Sequence, residues 1–186
     1  MNNEIESYRK HRNLKISAAE LGISWQTLYV RLKRQGEPVT GDKLRYGSDR
    51  DRLGAVAESE FKRIVPFAID NNLLKFQHGY DFDVLGYKVD VKSSHKRCLN
   101  KKYAAKSWSF SFKKQSLVCD FMCCFCIDDD KSTKHVLLVP SEFFKGLQSV
   151  SVSCDGDSKW LDYEIIESEL AEFFSSLPSQ SPCKAA

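Results

Sequence analysis

The chain has 186 residues, 42% of them apolar and 28% charged, with a net charge of +3. That length suits one ordinary core plus a small added module, and the composition excludes an intrinsically disordered chain. No apolar run approaches the ~20 residues that span a bilayer, and MNNEIESYRKHRN lacks the apolar segment of a secretory signal, so a cytoplasmic location is expected.

The charge is unevenly spread. Residues 88–114 hold nine Lys/Arg against one Asp, the footprint of a face that meets a polyanion, whereas residues 141–186 hold three Lys/Arg against eight Asp/Glu. Seven cysteines, an odd number, predict free thiols rather than a disulfide framework.

Residues 1–36 read as a small helical module. Ser17 is the expected N-cap of its first helix, with Glu20 completing a capping box. Ala18, Ala19 and Leu21 give a short apolar face, Gly22 a tight turn, and Ser24 the cap of a second helix carrying Leu28 and Leu32. The pattern A-x-x-L-G-I-S-x-x-T-L-x-x-x-L resembles the DNA-binding helix-turn-helix of many phage and bacterial proteins. In that arrangement the second helix enters the major groove. Trp25, Gln26, Thr27 and Tyr29 would then face bases, with Arg31, Lys33 and Arg34 placed for phosphates or bases.

Residues 37–52 carry Pro, two Gly and mixed charge without periodicity, and read as a linker. A domain over 53–176 follows, opened by a helix from Leu53 that Pro66 should end. Strands are expected at 80–85, 87–93, 107–112 and 117–127 and over HVLLVP, then a helix capped by Ser141 and another from Glu164 to Phe174. The end, 177–186, reads as a frayed tail. The expected fold class is α/β or α+β, a mixed sheet flanked by helices behind the helical module.

The chemistry concentrates in GYDFDVLGYKVDVKSS, residues 79–94. With Leu85-Gly86 as a two-residue loop, Val84 faces Tyr87, Asp83 faces Lys88, Phe82 faces Val89 and Asp81 faces Asp90. Alternation puts Asp81, Asp83, Lys88, Asp90 and Lys92 on one face and Phe82, Val84, Val89 and Val91 on the core face. The Cβ atoms of Asp81 and Asp90 would then be ~5 Å apart, close enough that a cation between them is expected. Oxygen ligands favour Mg²⁺, with Mn²⁺ as a substitute. Lys92 points to the same place, where a fixed ammonium can stabilise charge building on a phosphoryl group.

Asp81…Asp90-Val91-Lys92 resembles the PD-(D/E)xK nuclease superfamily, which includes many restriction, homing and repair endonucleases. The resemblance spans residues 54–140. It implies a restriction-endonuclease-like core, and Glu58 as a further ligand within a G-x-x-x-E pattern that GAVAE matches. Glu60 competes with Glu58, and Asp83 with Asp81. The family's proline before the first Asp is absent here, and Asp-x-Lys replaces the commoner Glu-x-Lys. Asp81, Asp90, Lys92 and Glu58 are thus the implied catalytic residues, and Asp81, Asp90 and Glu58 the metal ligands. Lys96, Arg97, Lys101 and Lys102 in the basic loop after the motif are further candidates for DNA contact, and Lys113, Lys114 and Gln115 for the scissile strand.

The implied activity is a Mg²⁺-dependent endonuclease acting on double-stranded DNA, phage-borne or homing in kind, with a homodimer as a plausible assembly. The competing readings are a DNA-binding regulator on a silent nuclease fold and a junction resolvase. CDFMCCFC lacks paired CxxC knuckles and reads as core rather than zinc site.

Overall fold

Asn13, Ser24 and Ser48, three polar residues with short side chains, set where three of the helices start. A computed structural model describes residues 3–73, 79–98, 106–112 and 118–178. These fall into two compact units, one from the described residues of Met1–Arg52 and Asn71–His78, the other from those of Leu53–Asp70 and Gly79–Ala186.

In the first unit, α1 (Asn3–His11), α2 (Leu14–Glu20) and α3 (Trp25–Arg34) close around Tyr8, Ala18, Leu28 and Leu32. α2 begins before the expected cap. The Asn13 side chain accepts the N–H of Lys15 at 3.0 Å and of Ile16 at 3.2 Å. Asn caps as well as Ser does, and the earlier start leaves Ser17 inside the helix, where its small side chain is buried and donates to the Ser7 carbonyl at 3.2 Å. Glu20 therefore closes no capping box; it pairs with Lys10, His11 and Ser7 of α1. Ser24 does cap α3, accepting the Thr27 N–H at 3.1 Å.

Both α2 and α3 end on a glycine in the left-handed region, Gly22 at φ +66° and Gly36 at φ +73°. In each case the next residue's N–H reaches back to close the helix end, Ile23 to Ala18 and Glu37 to Leu32, both at 3.0 Å. The stretch 37–52, expected as a linker, contains α4 (Lys43–Tyr46) and the start of α5 (Asp49–Ile64). α5 begins four residues before Leu53 because Ser48 and Asp51 cap it reciprocally: Asp51 accepts the Ser48 N–H at 3.0 Å and Ser48 Oγ accepts the Asp51 N–H at 3.3 Å.

The second unit has the expected α+β class. A five-stranded mixed sheet runs in the order β1 (Ile69–Asp70), β2 (Phe82–Val84), β3 (Tyr87–His95), β6 (Phe121–Ile127), β7 (Thr133–Pro140). A three-stranded antiparallel sheet joins β4 (Arg97–Cys98), β5 (Lys106–Ser111) and β8 (Ser149–Ser153). β3 and β6 are parallel and the other pairs antiparallel. A parallel pair needs a long crossover, and here that segment carries β4 and β5.

Helices cover one face of the larger sheet: Ala57 and Phe61 of α5, with Leu170 and Phe174 of α6 (Glu167–Ser176), pack on Phe82, Val84, Val89, Val91, Cys123 and Phe125. The smaller sheet covers the other, with Trp108, Phe110, Val150 and Val152 against Met122, Cys124, Cys126 and Val139. β6 is buried on both sides, which is why FMCCFCI is apolar throughout rather than alternating. Ser141 opens only a 3₁₀ turn, Ser141–Phe144, and α6 starts at Glu167 rather than Glu164. Among the described residues no helix is long and apolar enough to cross a membrane.

The β2–β3 loop places Leu85 at φ +53° and Gly86 at φ +93°, the two left-handed positions of a type I′ turn. Leucine is strained there, and 49% exposed. Leu85→Asn should raise stability by about 1 kcal/mol, read as a higher denaturant midpoint at constant slope.

Candidate active site

The hairpin forms in the expected register, Phe82 with Val89, Asp83 with Lys88 and Val84 with Tyr87. Its charged side chains are used differently from the expectation. Asp83 does not pair with Lys88; its Oδ1 accepts the Gly86 N–H at 3.0 Å and so holds the turn, a local bond that a short acidic side chain makes readily. The Lys88 ammonium lies 5.7 Å from the centre of the Tyr80 ring.

Asp81 sits where the ladder breaks. Its N–H donates to the Val89 carbonyl at 3.0 Å, the residue already opposite Phe82, and its Oδ2 accepts the Val91 N–H at 2.8 Å. Strands that deviate in this bulge-like way re-aim one side chain. Asp81 is thereby brought into hydrogen-bonding contact with Asp90.

Asp90, on the central strand β3, is 1% exposed and forms an ion pair with Lys92. Burial raises its pKa to about 6; the Lys92 charge works against that rise and the Asp81 charge adds to it. Burial alone would pull the Lys92 ammonium down, but the Asp90 carboxylate more than offsets it, so Lys92 stays charged. The neighbours of the pair across β6 are Met122 and Cys124, which give the site an apolar floor. β5 closes over the same face at Ser94, whose Oγ accepts the Ser109 N–H at 2.9 Å.

Glu58 is half-buried on α5. A methyl group added at Gly54 would lie 4.0 Å from its Oε1, so the carboxylate leans back over the preceding turn, as helical side chains do. Glu60 is committed elsewhere: Arg63 Nε reaches its two oxygens at 3.0 and 2.9 Å, and those bonds hold its carboxyl below the usual range. Among the described residues no group of three or more His, Cys, Asp or Glu is gathered as a metal cluster, so Asp81 and Asp90 meet while Glu58 does not complete a triad with them. A divalent ion still suits the pair. Two facing carboxylates, one buried and resisting ionisation, match the one or two carboxylates by which Mg²⁺ is commonly held, with water and phosphate filling the remaining positions.

In the helical unit, Trp25, Gln26, Tyr29, Lys33 and Arg34 are exposed along α3, while Thr27 is half-buried against Ser24. Arg31, expected to face DNA, is held by Glu4 of α1 at 2.6 Å. Lys96 pairs with Asp128 at 3.1 Å and Arg97 is exposed. Lys101, Lys102, Lys113, Lys114 and Gln115 lie outside the described residues. Cys119, Cys123, Cys124 and Cys126 are buried, as the core reading of this stretch expects, and burial pushes the Cys119 thiol up to about 11 and the Cys126 thiol to about 12.

Sequence reading missed Asp120. Its Oδ2 accepts the Lys88 N–H and its own N–H donates to the Lys88 carbonyl, both at 2.8 Å. An acidic residue just before an apolar run was the available signal.

No protein-family model matches the chain, and no curated protein does. Among solved structures it is similar to a bacterial homing endonuclease, I-Ssp6803I, at 14% identity and a TM-score of 0.44, covering 69% of this chain and 93% of that one.

The raised pKa of Asp90 fixes the sign of a stability test. Folded Asp90 holds its proton up to about pH 6 whereas the unfolded carboxyl releases it near pH 3.8, so folding stability falls as pH rises through that window. Asp90→Asn, without added metal, should melt higher than wild type. The gain should be complete above pH 6, at most about 3 kcal/mol, and should fade toward pH 4. Thermal melts across that range check it.

Proposed function

We propose that the protein is a metal-dependent endonuclease of the PD-(D/E)xK kind that hydrolyses phosphodiester bonds in double-stranded DNA. The observation that carries the reading is the buried Asp90, set against both Asp81 and Lys92 on the central strand. Keeping two carboxylates and an ammonium together in an apolar setting is costly, and that cost is characteristic of sites that do chemistry.

Asp81 and Asp90 would hold Mg²⁺, or Mn²⁺ in its place, with Glu58 reaching it through a bound water. When bound, the ion supplies Lewis-acid polarisation of the phosphate and lowers the pKa of its water. Asp90 must first give up its proton, so activity should climb as pH rises through about 6. Lys92, kept charged by Asp90, has no capacity to accept a proton; its work is to orient the attacking water and to stabilise charge on the phosphoryl oxygens. The exposed N-terminal half of α3, with Trp25, Gln26 and Tyr29, suits reading of the major groove. Cutting both strands would take two copies of the chain, each offering one site.

Incubation with plasmid or phage DNA in Mg²⁺ or EDTA tests the reading. Cleavage should require the ion, and Asp81→Ala, Asp90→Ala and Lys92→Ala should each lower the rate 100-fold or more, on the order of 3 kcal/mol. Asp83→Ala, which loosens only the turn, should still cut. Wild type that binds duplex DNA and never cuts would point instead to a binding-only regulator. In the helical unit, Gln26→Ala should reduce discrimination between sites by about 1–3 kcal/mol in competition binding.

A further inference from the structure

Lys88 lies on the same face of β3 as Asp90 and Lys92, because positions 88, 90 and 92 alternate with the core-facing Val89 and Val91. Two residues of strand separate Lys88 from Asp90 by roughly 6–7 Å. Asp90 is buried, whereas Lys88 is exposed at the outer end of the row.

Three carboxylates flank Lys88, and each has an oxygen on a backbone amide. Asp83 Oδ1 takes the Gly86 N–H, Asp120 Oδ2 the N–H of Lys88 itself, and Asp81 Oδ2 the Val91 N–H. Among the described residues no carboxylate pairs with the Lys88 ammonium, which rests instead over the Tyr80 ring. The backbone at its root is held at both its N–H and its carbonyl by Asp120. The result is a cation that is oriented and yet not neutralised, one strand-step from two carboxylates that repel any phosphate.

We propose that Lys88, seated on Tyr80, binds a DNA phosphate adjacent to the one that enters the Asp81–Asp90–Lys92 cluster. This rests on the endonuclease reading of that cluster and specifies how its substrate is held. A strand of DNA brings consecutive negative charges, and a strand pulled toward two carboxylates needs a fixed positive charge beside them. The strand-step from Asp90 to Lys88 is of the same order as the interval between neighbouring phosphates on one strand. Lys92 serves the reacting phosphate, and Lys88 the next one outward.

A labelled short duplex, titrated with wild type, Lys88→Gln and Lys88→Arg over 50–200 mM NaCl with Ca²⁺ in place of Mg²⁺, tests this without any cleavage. Lys88→Gln should bind 3- to 10-fold more weakly at 50 mM salt. Its plot of log affinity against log salt should be shallower by about 0.9, the loss of one phosphate contact. Lys88→Arg should restore the slope, and all three proteins should melt at the same temperature. An unchanged slope in Lys88→Gln overturns the proposal, as does a wild type that binds no duplex. A wild type that binds but does not cut in Mg²⁺ would sink the endonuclease reading alone, leaving the slope to judge Lys88.

Discussion

The ion pair between Asp90 and Lys92 on β3 is the constraint around which the second unit is arranged. A buried charge pair is weak support for a fold, since apolar residues of similar size would usually serve stability as well or better. Here burial wins over the attraction of Lys92, and Asp90 holds its proton to about pH 6. The rest of the sheet must therefore offset the pair. It does so by burying apolar side chains on both faces of β6 and by packing α5 and α6 on one side and β5 and β8 on the other.

The two faces of β3 divide this labour. Val89 and Val91 enter the core beneath the helices, while Asp90, Lys92 and Ser94 face the smaller sheet. Because a strand alternates strictly, a slip of one residue would exchange the two sets and drive Asp90, Lys92 and Ser94 into the apolar core beneath the helices. The type I′ turn at Leu85-Gly86, with Asp83 bonded across it, holds the register that prevents this. The strained leucine and the committed aspartate thus serve a purpose some distance from where they sit.

The features legible in the sequence are those with a short period or a local signature. The hairpin register followed from alternation around a two-residue glycine loop, and the α2–α3 turn from Gly22 and Ser24. The cysteine-rich strand was rightly read as core. The misreadings came from competition between equivalent signals. Asn13 and Ser17 could each cap α2, and the one nearer the apolar turn's start prevailed; Ser48-x-x-Asp51 is a capping box hidden in a stretch that looked like linker. Asp81 was expected to sit squarely opposite Asp90, and a break in the ladder brings it there by another path. The depth of Asp90 was not legible, because it depends on β5 and β8, whose residues arrive far along the chain and across a non-local pairing.

The two-sided burial of β6 has a further consequence. Cys123 and Cys124 point to opposite faces of one strand, and neither thiol reaches water. With their protons held by burial, they offer no thiolate to an alkylating reagent or an oxidant while the sheet is closed. Their labelling therefore clocks the opening of β6, one thiol for each covering layer.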